Sequence, residues 1–166
     1  MTRWRTPRQA RGGAVVSLDL IADVLDASGL MSRGGFHPGP ADGVPGDPGT
    51  AILVGNAGPD LWRGFGRARR GETHPLNAWT RRVLEAAAQA MGAEVVFPFD
   101  GPPYHPFQRW AEKAEPVHIS PIGPRIHAEF GLWHAYRGML LFTEFLDLPP
   151  REAHPSPCQG CAGKPC

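Results

Sequence analysis

All three cysteines of this 166-residue chain lie in its last nine residues, between Cys158 and Cys166. No disulfide can therefore staple the 157 residues that precede them. A chain of this length can bury one hydrophobic core unaided, so we expect its fold to rest on helices and strands packed through apolar faces. An odd, clustered set of cysteines is typical of a metal or cluster site in a reducing compartment, which predicts a cytoplasmic protein.

Composition and charge exclude several other classes of protein. The chain is 42% hydrophobic and 20% charged, which excludes disorder by composition, and its net charge of +1 does not favour a broad grip on nucleic acid or membrane. No apolar run is long enough to span a bilayer. The arginine-rich segment 1–11 does not begin a signal peptide, because Asp19, Asp23 and Asp26 interrupt the residues that follow it.

The pattern of apolar residues predicts alternating helices and strands separated by glycine- and proline-rich loops. Helices are predicted at 14–27, after Pro59, at 77–91, at 106–114 and briefly at 125–129. Strands are predicted at 51–56, 94–97 and 133–142, the last with a kink at Gly138. We expect 34–49 to be loop, and Leu61, Trp62 and Phe65 to point inward from their helix. This order favours a mixed α/β or α+β layer fold over 1–148, followed by a linker and a cysteine-rich segment over 149–166.

The cysteine-rich segment has the spacing C-x2-C-x4-C, formed by Cys158, Cys161 and Cys166. Thiolates are soft anionic donors that bind iron or zinc, and a two-residue gap lets two sulfurs face one ion from a single turn. A cubane iron–sulfur cluster needs a fourth ligand, whereas zinc could take the three thiolates and His154. The spacing alone does not separate these two metals, and a disordered tail with reactive thiols is the remaining alternative.

A second unusual segment, 118–138, is dense in histidine, aromatic and arginine residues. Its candidate cofactor-binding residues are His127, Trp133, His134, Tyr136 and Arg137. Aromatic rings supply flat contact area, arginine pairs with anions, and histidine donates or accepts near neutral pH, so the cluster could line a pocket for a large flat ligand. The alternative is a core strand whose polar residues are satisfied internally. No serine or cysteine lies in a nucleophile elbow, so a catalytic triad is not predicted.

Several stretches in the same order resemble the family of cobalamin-processing (CblC-type) and epoxyqueuosine-reductase-like proteins. The similar stretches are 51–58 with Trp62, 97–99, 106–108 with Trp110, 131–138, and the three terminal cysteines. The stretch 131–138 is similar to the family's Gly-x-Trp-x-Ala-x-Arg-Gly segment, and the three cysteines are similar to the start of a bacterial ferredoxin-like motif. The family's ferredoxin-like domain carries more cysteines and ends in Cys-Pro, so we expect a truncated cluster domain here. No residue matches the catalytic aspartate of the tRNA-modifying branch.

The resemblance implies an α+β fold of the flavin-reductase/nitroreductase type, with a mixed sheet and packed helices. It also implies two cofactors, a cobalamin and a 4Fe-4S cluster held by Cys158, Cys161 and Cys166. Trp133 and Tyr136 would flank the corrin ring, His134 would be an axial or edge contact, and Arg137 would pair with an anionic group.

We therefore expect an iron–sulfur, corrinoid-dependent reductase-like protein, which would be an oxidoreductase that transfers electrons from a cluster to cobalamin. Its partners would be an electron-donor protein and the corrinoid, with no membrane partner. Nucleic acid is not expected as a partner, and a tRNA substrate is suggested only by the resemblance. The alternatives are a non-enzymatic cobalamin-binding or trafficking module, and a ferredoxin-like or zinc-stabilised protein without a corrinoid.

Overall fold

A computed structural model describes residues 16–163 of the chain, which form four α-helices and six strands. The helices are α1 (Leu18–Asp26), α2 (Asp60–Ala68), α3 (Pro75–Met91) and α4 (Phe107–Ala114). The strands are β1 (Met31–Phe36), β2 (Thr50–Ala57), β3 (Glu94–Val96), β4 (Val117–Ile119), β5 (Arg125–His127) and β6 (His134–Phe142). None of the helices in this part of the chain has the length and apolar content needed to cross a bilayer.

Four of the strands form one antiparallel sheet in the order β1-β2-β6-β3, and β4 pairs with β5 in a separate hairpin. The central pair is β2 and β6, in which Thr50 lies opposite Phe142 and Ala57 opposite His134. One residue of β6, Arg137, has no partner in this register, because Val54 pairs with Gly138 and the next residue of β2 pairs with Tyr136. This β-bulge is the kink that the sequence places at Gly138.

Both faces of the sheet are covered, so β2 reads as a continuous apolar run rather than an alternating one. Ile52 and Val54 point toward α1, α2 and α3, and they belong to the larger core cluster. Ala51 and Leu53 point the other way, toward α4 and Trp110. The predicted strand at 51–56 and the predicted helix at 77–91 are confirmed, and the α+β class is confirmed with them. The mixed sheet implied by the resemblance is wrong for residues 16–163, because every strand pair there is antiparallel.

The prediction of loop throughout 34–49 is wrong at its start, because β1 extends to Phe36. The glycines of β1 conceal the strand in the sequence, and they are present because α4 packs closely on Gly34 and β2 packs closely on Gly35. A Cβ at Gly34 would collide with the Ala114 carbonyl oxygen, and one at Gly35 would lie 2.9 Å from the Ala51 carbonyl oxygen. Close packing of backbone on backbone has here outweighed the weak strand propensity of glycine.

Two further predictions are wrong. The segment 125–129 is not a helix, because β5 pairs with β4 and a bridge joins His127 to Gly131. Trp62 does not point inward, because its side of α2 faces solvent and 54% of the residue is exposed. Leu61 and Phe65 do point inward, as predicted.

We expect two neighbouring glycines of α2 to respond oppositely to alanine. A Cβ at Gly64 would lie 2.6 Å from the Ser28 carbonyl oxygen, so Gly64→Ala should lower the free energy of unfolding by about 1–3 kcal/mol. At Gly66 no atom lies within 4 Å of an added Cβ, so Gly66→Ala should raise it by up to about 1 kcal/mol. Urea denaturation followed by circular dichroism measures both, and equal changes would contradict the close packing of the turn between α1 and β1 on α2.

Candidate functional site

A buried ion pair joins β1 to the end of α4. Arg33 Nε lies 2.8 Å from Glu115 Oε2, and Arg33 Nη2 lies 2.9 Å from Glu115 Oε1. The two side chains are only 2% and 6% exposed. This two-bonded geometry is the strongest that a guanidinium and a carboxylate can form, and burial makes each charge dependent on the other.

Two side chains of β6 extend the ion pair into a hydrogen-bonded cluster. The Tyr136 hydroxyl donates to Glu115 Oε1 at 2.6 Å, and Arg33 Nη2 lies 3.4 Å from His134 Nδ1. Burial, with the bond to Glu115, raises the pKa of Tyr136, so the phenol stays protonated. Burial also lowers the pKa of His134, so its ring is neutral at pH 7. Its Nε2 carries the proton and donates to the Arg125 carbonyl oxygen at 3.1 Å, which leaves Nδ1 to face Arg33.

His127 lies on the other side of the ion pair. Its Nδ1 accepts hydrogen bonds from the backbone N–H groups of Glu129 and Phe130 at 3.1 and 3.3 Å. The ring proton is therefore on Nε2, 4.0 Å from Glu115 Oε2. Burial lowers the pKa of His127, and its ring stacks on Phe130 with centroids 4.6 Å apart. Both imidazoles of the cluster thus have fixed tautomers in which each nitrogen already faces a partner.

A cleft of about 730 Å³ opens beside the cluster. Arg33, Glu115 and His127 line it, together with residues of β1, the turn after β5 and the chain that follows β6. Its apolar lining comes from Leu18, Met31, Ala114, Phe130 and Leu148. A volume of this order falls in the range of roughly 300–1,000 Å³ that is usual for small-molecule sites. Besides the polar groups of the cluster, Arg151, Glu152 and His154 line the cleft from the chain that follows β6.

One wall of this cleft is the proline-rich segment 148–157, which we call the strap. Arg151 Nε donates to the Glu115 carbonyl oxygen at 3.1 Å, and His118 Nε2 donates to the His154 carbonyl oxygen at 2.7 Å. These bonds hold the strap against the α4–β4 junction and the β4–β5 hairpin. The strap then leads directly into the turn that carries Cys158, so the cysteine segment begins at the rim of the cleft.

Cys158 and Cys161 are half-buried free thiols on that turn. The Cys158 backbone N–H donates to Ser156 Oγ at 3.3 Å, and a cavity of about 580 Å³ beside the turn is lined by Ala128 and residues of 154–160. Within residues 16–163, no three His, Cys, Asp or Glu side chains are grouped closely enough to hold a metal ion. His154, the candidate fourth ligand for zinc, has its Nε2 2.8 Å from Glu152 Oε2. Cys166 lies outside the described residues.

The five predicted cofactor-binding residues fall in four different places. His127 lines the large cleft, whereas His134 and Tyr136 line a smaller one of about 260 Å³ with Arg125 and Leu132. Trp133 lines neither cleft and is 86% exposed. Arg137 also lines neither: its Nε donates to Asn56 Oδ1 at 2.8 Å, and burial lowers its pKa.

The sequence reasoning missed Arg33 and Glu115, the charged centre of the cluster. Their positions are 82 residues apart, so no local spacing connects them. The available signal was a single carboxylate between apolar neighbours, at the junction of the predicted 106–114 helix and the residues that follow it.

Comparison of the sequence with models of protein families found no match, and comparison with curated proteins found none either. The chemistry of the cleft and of the cysteine turn therefore stands on the residues themselves.

We expect the buried ion pair to dominate the stability of this region. Glu115→Gln would leave the Arg33 charge buried without a countercharge, so the free energy of unfolding should fall by about 3–5 kcal/mol. The matched control is Glu85→Gln, which breaks the half-exposed Arg81–Glu85 pair at 3.5 Å and should cost less than about 1 kcal/mol. Similar losses for both variants in urea denaturation would show that the Arg33–Glu115 pair is not a structural centre.

The neutral imidazoles predict a pH dependence of stability. Burial holds the folded pKa values of His127 and His134 below the ordinary imidazole value of 6.5, so the unfolded chain binds more protons than the folded one as the pH falls below 6.5. The free energy of unfolding should therefore fall as pH is lowered through 6.5. His127→Asn removes one titrating ring and keeps an acceptor for the two backbone N–H groups, so it should flatten the dependence. An unchanged pH profile of the melting temperature in this variant would contradict the assignment.

Proposed function

We propose that the chain is a cytoplasmic, corrinoid-dependent reductase-like protein with a flavin-reductase/nitroreductase-like fold, and that its terminal thiols hold an iron–sulfur cluster. The observation that carries the proposal is the strap: one wall of the 730 Å³ cleft continues directly into the turn bearing Cys158 and Cys161. A ligand in the cleft and a metal on the thiols would therefore be neighbours along a single short segment.

The walls of the cleft suit a flat ligand with a polar periphery. The stacked rings of His127 and Phe130 give one side a planar surface, and Met31 and Leu148 add flexible apolar contacts. The Arg33 and Glu115 charges neutralise each other, and the cleft as a whole is lined by two arginines and three glutamates, a net charge of −1. Burying a large macrocycle on such walls is favourable at roughly 25 cal/mol for each Å² of apolar surface.

His127 would contact the edge of a corrinoid in the large cleft rather than coordinate its cobalt, whereas His134 lines the smaller cleft. Both nitrogens of His134 face protein groups, and His127 Nδ1 accepts two backbone N–H groups. Coordination through His127 Nε2 would move the ring proton to Nδ1, where it would point at those N–H donors. The protein's part is then to orient the ring and exclude water from one face, while the corrinoid supplies the cobalt chemistry.

The chemistry of the donor set on the cysteine turn fits one edge of a cluster site. Two thiols two residues apart can face a single iron, and Cys166, beyond the described residues, would be the third ligand. When bound, such a cluster supplies one-electron transfer, and an electron-donor protein would be needed to recharge it. Ser156 Oγ and the Cys158 N–H lie 3.3 Å apart and fix the backbone of the turn before metal arrives.

The proposal is tested by anaerobic reconstitution of the full chain with iron and sulfide, followed by titration with hydroxocobalamin. We expect a brown protein whose visible spectrum changes on cobalamin binding and again on chemical reduction. Cys158→Ser should abolish the brown colour and leave cobalamin binding intact, because the thiol lies outside the cleft wall. Binding without any reduction would indicate a carrier rather than a reductase, and a colourless protein with stoichiometric zinc would overturn the cluster.

A cleft-filling variant locates the cobalamin. Met31 lines the cleft, so Met31→Trp should weaken cobalamin binding at least about tenfold, which corresponds to 1.4 kcal/mol. Ile122→Trp is the matched control, because Ile122 is half-exposed and does not line the cleft. Equal affinities for the two variants would show that the corrinoid binds elsewhere.

A further inference from the structure

The exposed side of α2 concentrates positive charge in a chain that is nearly neutral. The segment 60–71 holds four arginines and one aspartate, a net charge of +3, whereas the whole chain carries +1. A second basic segment, 1–11, lies outside the described residues and holds four arginines and no acidic residue, so the remainder of the chain is net negative. Asp60, Ala68 and Gly71 of the segment 60–71 are exposed, and so are its tryptophan, its arginines and Gly66. We call these last residues the α2 surface, although two of them directly follow the helix: Trp62, Arg63, Gly66, Arg67, Arg69 and Arg70.

Most of these arginines have no countercharge within the described part of the chain. Arg63 pairs with Asp60 at 3.0 Å on the surface, but Arg67, Arg69 and Arg70 pair with no carboxylate of residues 16–163. The arginines of α3 behave differently, since Arg81 pairs with Asp100 and Arg82 pairs with Glu72. The α2 surface thus offers guanidinium groups whose donors are free to bind an anionic group.

Trp62 stands among these arginines and is 54% exposed. Its ring meets Phe65 edge-on, with centroids 6.0 Å apart, and Phe65 in turn meets Trp79 at 5.7 Å. The indole is therefore supported from the core on one side and presented to solvent on the other. An exposed indole whose position is fixed in this way loses little conformational entropy when a partner covers it.

Gly66 leaves space on the exposed face of α2, and no packing contact of the fold requires a glycine there. A glycine inside a helix costs about 1 kcal/mol relative to alanine, and nothing within 4 Å would oppose a Cβ at this position. Gly64, by contrast, is explained by the Ser28 carbonyl oxygen 2.6 Å from its Cβ position. Room at Gly66 allows a partner to approach the backbone of α2 closely, between Trp62 and Arg67.

We infer that the α2 surface docks an acidic surface of a partner protein. Tryptophan and arginine are the residue types that most often anchor protein interfaces, and guanidinium groups pair with carboxylates in two-bonded geometry. An anionic membrane fits less well, because the apolar residues Leu61 and Phe65 are buried in the core and only one indole is left to insert. Single-stranded nucleic acid also fits less well, because 60–71 exposes one aromatic ring and stacking of successive bases needs several. This inference does not depend on the corrinoid proposal.

The test titrates the full chain separately with poly-L-glutamate, polyuridylate and phosphatidylglycerol vesicles at low salt, and follows binding by isothermal calorimetry. We expect poly-L-glutamate to bind most tightly. Arg67→Glu should weaken this binding about tenfold or more, since a charge-assisted bond is worth about 1.5–3 kcal/mol. Arg109→Glu makes the same change of charge on the exposed face of α4 and should have a much smaller effect.

Two further variants, Trp62→Ala and Gly66→Leu, distinguish binding to the shape of the α2 surface from attraction to its positive charge alone. Both should weaken poly-L-glutamate binding without changing net charge, and Gly66→Leu should leave the melting temperature unchanged or raised. Equal losses for Arg67→Glu and Arg109→Glu would overturn the assignment of the site to α2. Tighter binding of polyuridylate or of vesicles would overturn the assignment of the partner, and so would no binding of poly-L-glutamate.

Discussion

The ion pair between Arg33 and Glu115 is the interaction on which the rest of the site depends. It joins β1, at the edge of the sheet, to the point where α4 ends and β4 begins. The Arg33 guanidinium also lies 5.0 Å from the Phe130 ring centroid and 5.7 Å from that of Tyr136. The buried Arg33 guanidinium therefore holds together the turn after β5, the bulged strand β6 and the end of α4. Each of these would lose Arg33 as a partner if it moved.

Helices and strands were predictable from the sequence where a residue packs mainly according to the pattern of its neighbours along the chain. The unbroken apolar run of β2 and the long amphipathic pattern of α3 were both identified correctly, and Gly92 ends α3 with a positive φ of 69°. Strand β1 was missed because contacts with distant parts of the chain decide that glycines occupy it: α4, about 80 residues further along, crowds Gly34, and β2 crowds Gly35. Trp62 was misassigned for a related reason: helical periodicity predicts the buried face from hydrophobicity, and an exposed indole on α2 breaks that rule.

The candidate site was predictable in part. His127, His134 and Tyr136 were selected as a group from their composition, and all three surround the buried Arg33–Glu115 ion pair. Trp133 lies just before β6 begins and faces solvent, and the bulge in β6 turns Arg137 toward Asn56. No reading of the segment 118–138 could have revealed these outcomes, because the bulge is defined by the register of β2 against β6.

The strap is one wall of the cleft and leads into the cysteine turn. The proposed function requires that cobalamin binds against this wall. Hydrogen–deuterium exchange of the full chain with and without hydroxocobalamin tests it most directly. The account predicts slower exchange of the backbone amides of Gly34 and Gly35 in β1 and of 151–154 in the strap when cobalamin is bound. Cobalamin binding that leaves both segments unchanged, or that protects only 132–136 beside the smaller cleft, would contradict it.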